Sequence, residues 1–93
     1  MRRFIQPNII NEKNTAGVYF YYNKNGKRLY TGHAHKVRNR LFAAFYGRAD
    51  YATIPLKKEL RSKIYTYDVL YKTIKDARRL EHIAKKKLKY NKL

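Results

Sequence analysis

Two tyrosines near the start of the chain, Tyr19 and Tyr30, are spaced so that their phenols can meet. They belong to the segments Gly17-Val18-Tyr19 and Tyr30-Thr31-Gly32, which are separated by a polar turn. A pair of phenols, together with an arginine and a carboxylate from elsewhere in the chain, can position water and a phosphate group for hydrolysis of a phosphodiester. Whether the phenols meet depends on the hairpin between the two segments.

The turn at residues 23–26 decides whether the two phenols share a face of the hairpin. Side chains alternate faces along a strand, and directly opposed residues share a face. A four-residue loop places Tyr19 opposite Tyr30, and a two-residue loop at Asn25-Gly26 places Tyr19 opposite Gly32. An odd loop without a bulge would separate the tyrosines. Both even loops predict a shared face, where the pair either takes part in chemistry or only stabilises the hairpin.

One carboxylate and one arginine are candidates to complete such a site. Glu81 falls inside the apolar stripe of a predicted C-terminal helix, where a carboxylate is costly unless it has a partner. It is either half of a structural ion pair or a ligand for a hard divalent cation such as Mg²⁺. Arg40 lies at the edge of another helical stripe, where it either holds a phosphate or remains a solvated charge.

The composition bounds the class of protein. The chain has 93 residues and no cysteine, which predicts one domain in a reducing, cytoplasmic location without a disulfide framework. No run of 18 apolar residues occurs, so no membrane partner is expected, and no signal peptide is predicted. Lys and Arg number 23 against 6 Asp and Glu, a net charge of +17. This charge favours nucleic acid as the partner, with a solvated surface or anionic lipid as alternatives.

The pattern predicts an α+β fold of order β-β-α-α-β-α, a small three-stranded antiparallel sheet flanked by helices. Residues 1–93 form a single domain, with 1–15 as an arm or short extra element and 16–91 as the core. Strands are predicted at 17–22, 27–32 and 64–72. Helices are predicted at 35–46, from Pro55, and from 74 to about 90, the last of them opened by a capping box at Thr73.

The residues described above resemble the GIY-YIG nuclease family. The two tyrosine segments, Arg40 ten residues after Tyr30, and Ala77-Arg78-Arg79-Leu80-Glu81 near the end carry the likeness, which covers about residues 16–91. The resemblance implies that Tyr19 and Tyr30 orient or activate the attacking water and that Arg40 holds the scissile phosphate. It also implies that Glu81 binds a single Mg²⁺ or Mn²⁺.

The resemblance also implies supporting roles and shows departures from the family pattern. Gly17 and Gly32 would be structural, and Asn91 would support the site, although the proline expected before Tyr90-Asn91 is absent. Thr31 replaces an aliphatic residue. His33 stands where lysine is common, and it would either share the general-base role or weaken the site. The other histidines, His35 and His82, are interpreted as surface residues.

The expected function is therefore a metal-dependent endonuclease that acts on DNA, including branched or otherwise structured DNA. A phenol that acts as a base needs nearby positive charge to lower its pKa from about 10, and the residues close enough in sequence to supply it are Lys27, Arg28, Arg38 and Arg40. The residues expected to contact nucleic acid are Lys27, Arg28, Lys36, Arg38 and Asn91. Selectivity would come from substrate shape, a targeting partner or self-association. The alternatives are a catalytically inactive nucleic-acid-binding module on the same fold and a basic protein that binds structured RNA.

Overall fold

The computed structural model describes residues 1–47 and 58–85 of the chain. Within these residues the chain forms four strands and four helices. In chain order they are β1 (Arg2–Arg3), α1 (Gln6–Ile9), β2 (Gly17–Tyr22), β3 (Arg28–Ala34), α2 (Val37–Tyr46), α3 (Lys58–Lys63), β4 (Thr66–Tyr71) and α4 (Ile74–Lys85).

The strands form one antiparallel sheet in the order β1-β4-β2-β3. The expectation of three strands is therefore wrong, because Arg2 and Arg3 pair with Tyr67 and Thr66 of β4 and add a fourth, edge strand. A two-residue strand is too short to show an alternating pattern in sequence. Residues 1–15 also supply α1, whose Ile9 is fully buried in the main core.

The two long helices cover opposite faces of the sheet. The main core joins Tyr19, Tyr21 and Tyr67 of the sheet to the apolar stripe of α2, in which Val37 and Leu41 are fully buried. The helix α4 packs on β3 and β2. Its partner side chains on β3 alternate with those that face α2, so α4 lies on the other face of the sheet. The edge strand β3 therefore lies between α2 and α4.

The helix ends follow local signals. Lys36 is extended, so α2 begins at Val37 rather than at the predicted position 35, and it ends at Gly47 with a left-handed φ of 71°. The helix α4 begins at the predicted position, where the Asp76 amide donates a hydrogen bond of 3.3 Å to Thr73 Oγ1. The predicted strand 64–72 is shorter, at Thr66–Tyr71.

Two predicted helix boundaries fall on residues that the structure does not describe. The predicted second helix starts at Pro55, whereas its described part is α3, in which Leu60 is buried. The predicted end of the last helix near residue 90 lies beyond the described residues as well. Of the helices in the described part of the chain, none has the length and apolar character that crossing a membrane requires.

Candidate active site

The β2–β3 hairpin places Tyr19 and Tyr30 on one face, but its loop has neither of the two even lengths considered from the sequence. Tyr22 pairs with Arg28 across a five-residue loop, an odd length that alone would separate the tyrosines. A bulge between these positions shifts the register by one residue, so Tyr21 pairs with Tyr30 and Tyr19 with Gly32. The predicted shared face is therefore present, and it depends on the extra residue, Leu29.

Three phenols cluster on this face, with Tyr30 stacked against both Tyr19 and Tyr21. The ring of Tyr19 lies 6.3 Å from that of Tyr30 and 5.2 Å from that of Tyr21, and the Tyr21 and Tyr30 rings lie 6.0 Å apart. Tyr19 and Tyr21 are buried, whereas Tyr30 is half-buried. Tyr21 is a member of this cluster that sequence reasoning did not select as a site residue, although its register with Tyr30 was one of the two that the even loops allowed.

Two glycines permit the close packing around Tyr19. A Cβ on Gly32 would overlap the Tyr19 phenol, with 2.9 Å to Cε2, so only glycine lets this ring cross over β3 toward the edge of the sheet. A Cβ on Gly17 would lie 2.6 Å from the backbone oxygen of Leu70 in the neighbouring strand. Both glycines are needed because no side chain fits at either position.

The phenol of Tyr19 is the point at which the candidate groups meet. Burial raises its pKa well above that of an ordinary phenol, and the neighbouring Tyr30 raises it further. Arg40 opposes this rise through its charge and through a hydrogen bond, and Glu81 adds a further upward effect. The positive charge of Arg40 lowers the Tyr19 pKa, as expected of a nearby cation, but desolvation outweighs it and the net shift is upward. Tyr19 therefore stays protonated at neutral pH.

Arg40 reaches the site from α2. Besides its hydrogen bond to the Tyr19 phenol, its Nη1 donates a hydrogen bond of 3.3 Å to the backbone oxygen of His33. The side chain is half-buried and therefore keeps a fixed direction beside β3. A guanidinium held in this way can present its remaining N–H groups to a phosphate.

Glu81 reaches the site from α4 on the opposite face of the sheet. It is only 9% exposed, which agrees with its predicted place inside the apolar stripe beside the fully buried Ala77. One carboxylate oxygen, Oε2, contacts Nδ1 of His33, whose side chain is 31% exposed. A structural ion pair was one of the two roles expected for this carboxylate; one of its partners is His33 of β3, and that contact is an ion pair when the imidazole is protonated.

The residues around Glu81 fit a lightly ligated hard cation. The described part of the chain contains no group of three or more His, Asp or Glu side chains that could enclose a metal. Mg²⁺ does not need such a group, because it keeps several waters and is held by one or two carboxylates plus substrate phosphate. A single, nearly buried carboxylate that lies near the Tyr19 phenol, to which Arg40 is hydrogen-bonded, is compatible with this mode of binding.

The structure brings some of the predicted basic residues near this site and leaves others apart. Arg38 lies in the first turn of α2, and Lys36 directly precedes that helix, just after the end of β3 that carries His33. Lys27 and Arg28 lie at the hairpin loop, at the opposite end of β3. The guanidinium of Arg28 stacks 5.8 Å from the ring centroid of Phe20. These two residues therefore do not line the tyrosine site.

The two other histidines selected from the sequence lie at the surface. His35 and His82 are exposed, in agreement with their interpretation as surface residues. Asn91 lies outside the described residues. The chemical roles expected of the site residues remain predictions.

A second buried carboxylate, Glu12, was missed from the sequence. It is 6% exposed and accepts hydrogen bonds from Tyr67 at 2.5 Å, from Tyr71 at 2.6 Å and from Arg2 at 2.7 and 3.1 Å. These contacts join residues 1–15 to β4. Because four donor contacts satisfy the carboxylate from within the protein, its role is to anchor this segment.

Comparison with protein-family models gives no match to the chain, and comparison with curated proteins gives none. Solved structures do match. The GIY-YIG N-terminal endonuclease domain of UvrC from Thermotoga maritima, bound to its catalytic divalent cation, magnesium, has a TM-score of 0.72 at 22% identity. The match covers 98% of this chain and 97% of that one.

Two point mutants of the same Thermotoga maritima domain, each bound to its catalytic divalent cation, agree with this result. An asparagine-to-alanine mutant has a TM-score of 0.73 at 22% identity, and a tyrosine-to-phenylalanine mutant has 0.71 at 22%. Each match covers 98% of this chain and 96% of the other. The α+β, GIY-YIG-like fold expected from the sequence is confirmed.

Proposed function

Since the chain has the fold of the GIY-YIG endonuclease domain, we propose that it is a metal-dependent endonuclease that hydrolyses DNA phosphodiester bonds. One observation carries the proposal: side chains from three different elements converge on the phenol of Tyr19. The Tyr30 ring lies 6.3 Å from its ring, Arg40 is hydrogen-bonded to its hydroxyl, and Glu81 is close enough to raise its pKa. Clusters of ionisable side chains with perturbed pKa values are typical of functional sites. The neighbouring structures add support, because they are endonuclease domains bound to a catalytic divalent cation.

In this proposal each side chain has one task. Arg40 binds the non-bridging oxygens of the scissile phosphate and offsets the charge that grows on them during the reaction. Tyr19, which burial keeps protonated, donates a hydrogen bond that orients the attacking water or the phosphate. Tyr30 is the more exposed of the two phenols and faces the incoming water.

Glu81 is the residue proposed to hold Mg²⁺ or Mn²⁺. When bound there, the cation supplies positive charge to the phosphate and to the leaving oxygen. The protein keeps the carboxylate in position by burying it in the apolar stripe of α4. Asn91 is proposed to support the same site, as the family resemblance implies.

DNA is the proposed substrate because the chain carries a net charge of +17. Lys36 and Arg38 lie at the site end of β3 and are proposed to contact backbone phosphates next to the cleaved bond. Lys27 and Arg28 lie at the other end of the hairpin and are proposed to contact the duplex farther along. A targeting partner, self-association or the shape of a branched substrate would supply selectivity.

The test is nicking of supercoiled plasmid by untagged protein with Mg²⁺ or Mn²⁺. The proposal expects Glu81→Gln and Tyr19→Phe each to lower the rate about 10²- to 10³-fold, as removal of one transition-state group does in other enzymes. Glu59→Gln is the matched control, because Glu59 is an exposed carboxylate on α3. Equal nicking by wild type and both site variants would reveal a contaminant and refute the proposal.

A second candidate function is a catalytically inactive module that binds DNA or structured RNA. The contact between His33 and Glu81 favours it, because a carboxylate engaged by a histidine is less available to a cation. This candidate expects salt-sensitive gel shifts with duplex DNA, branched DNA or RNA and no cleavage in any metal. Competition among the three nucleic acids would identify the preferred partner.

A further inference from the structure

The histidine that contacts Glu81 is held in place by the elements on either side of it. His33 lies on β3, directly opposite Val18 of β2, and its backbone oxygen accepts the hydrogen bond from Arg40. Its Nδ1 contacts Glu81 Oε2 across 48 residues of sequence. The backbone of His33 is therefore fixed by the sheet on one side and by α2 on the other, while its ring meets a carboxylate from α4.

The two contacting atoms are both metal ligands. A neutral imidazole nitrogen and a carboxylate oxygen that touch can bind one ion between them after a small outward rotation of each side chain. Imidazole nitrogen suits Mn²⁺ less than Co²⁺, Ni²⁺ or Zn²⁺, and it adds little for Mg²⁺, which prefers oxygen. A site with one nitrogen ligand and one oxygen ligand therefore has a different order of cation affinities from a site with a carboxylate alone.

We propose that His33 and Glu81 together form the cation site, and that it binds Co²⁺ and Ni²⁺ more tightly than Mg²⁺ because His33 Nδ1 is a ligand. The proposal rests on the proposed function only in taking Glu81 as the cation ligand. It also assigns His33 a role: the lone pair on Nδ1 that binds a cation cannot at the same time accept a proton from water. His33 is then a ligand, and water is oriented by the tyrosines.

The test measures cation binding without DNA. Untagged wild-type protein is titrated by calorimetry with Co²⁺ and, separately, with Mg²⁺, and bound Co²⁺ is followed by its visible absorption bands. We expect wild type to bind Co²⁺ at least about tenfold more tightly than Mg²⁺, and His33→Gln to lose at least about tenfold in Co²⁺ affinity. The Mg²⁺ affinity should change little in this variant.

Matched variants separate this site from other histidines. His35→Gln is the control, because His35 lies two residues away and is exposed. It should leave the Co²⁺ titration unchanged, while Glu81→Gln should abolish it. His33→Lys offers a positive partner for Glu81 but no neutral ligand, so it should lose Co²⁺ binding while it keeps the wild-type circular dichroism spectrum.

Three outcomes would overturn the proposal. They are a wild type that does not bind Co²⁺, a Co²⁺ affinity unaffected by His33→Gln, and Co²⁺ binding that survives Glu81→Gln. None of them depends on cleavage. Nicking that requires Glu81 but shows no His33-dependent preference for Co²⁺ would refute the two-ligand site and leave the proposed nuclease function standing. Co²⁺ binding that requires both residues, in a protein that cleaves no DNA, would support the two-ligand site and refute the proposed nuclease function.

Discussion

Two tyrosines that face each other across the sheet should respond in opposite ways to the same substitution. Tyr21 and Tyr67 are paired across β2 and β4, and both are fully buried. The Tyr67 hydroxyl donates a 2.5 Å hydrogen bond to the buried carboxylate of Glu12. The Tyr21 hydroxyl is buried without a hydrogen-bond partner among residues 1–47 and 58–85. Tyr→Phe removes one hydroxyl at each position and leaves the ring.

The sizes of the two effects follow from what each hydroxyl does. Tyr67→Phe removes a hydrogen bond to a charged group, so the free energy of unfolding should fall by about 1.5–3 kcal/mol. Tyr21→Phe removes a buried polar group that has no partner, so the free energy of unfolding should rise by about 1 kcal/mol or more. In a domain of this size each kcal/mol moves the Tm by about 4–8 °C.

The measurement is urea unfolding followed by circular dichroism, with thermal melts as a second readout. Tyr67→Phe should lower the urea midpoint and Tyr21→Phe should raise it, with little change in the slope of either curve. A lower urea midpoint for Tyr21→Phe would mean that the Tyr21 hydroxyl makes a stabilising contact. An unchanged midpoint for Tyr67→Phe would mean that the hydrogen bond to Glu12 contributes little to stability. Either result would refute the reasoning.

Three other predictions follow from the same contacts. Gly32→Ala should slow plasmid nicking at least about tenfold while DNA binding is kept, because the new methyl group displaces the Tyr19 phenol; full activity would contradict the proposed role of that phenol. Burial and the hydrogen bond to Glu12 raise the pKa of Tyr71 from 10.0 to about 12. Between pH 10 and 12 the folded state therefore holds a proton that the unfolded state releases. The contribution of Tyr71 to the free energy of unfolding should be fully present below pH 10 and be lost as the pH rises from 10 toward 12. Ultraviolet titration should show Tyr71 still protonated near pH 11. The DNA affinity measured by gel shift should fall at least about 100-fold between 50 and 200 mM salt, as expected for a protein that contacts many phosphates; salt-independent binding would exclude an electrostatic interface.

The sequence was sufficient for the elements that follow regular patterns. The β-branched and aromatic residues of β2, the alternation in β4 and the helical stripe of Val37, Leu41 and Ala44 predict a sheet with a helix packed on it. The three residues of the helical stripe are buried as expected. The shared face of Tyr19 and Tyr30 was also predicted. Its cause was not, because nothing in the sequence marks Leu29 as the extra residue of a bulge.

Other features depend on contacts between distant residues and were not predictable. Glu12 meets Tyr67 and Tyr71 across 55 and 59 residues, so no local pattern shows that residues 1–15 are anchored to β4. The contact of His33 with Glu81 spans 48 residues. The net direction of the Tyr19 pKa shift was not predictable, because the charge of Arg40, which lowers the pKa, is visible in the sequence, whereas the burial that outweighs it is not.

The most direct test of the account is a crystal structure of the protein with Mn²⁺ and a DNA duplex, with the metal located by anomalous scattering. The account predicts an ion in contact with the Glu81 carboxylate, and a backbone phosphate between that ion and Arg40, beside the phenols of Tyr19 and Tyr30. A structure with DNA bound on a different face, or with Glu81 still held by His33 and no ion beside it, would contradict the central claim.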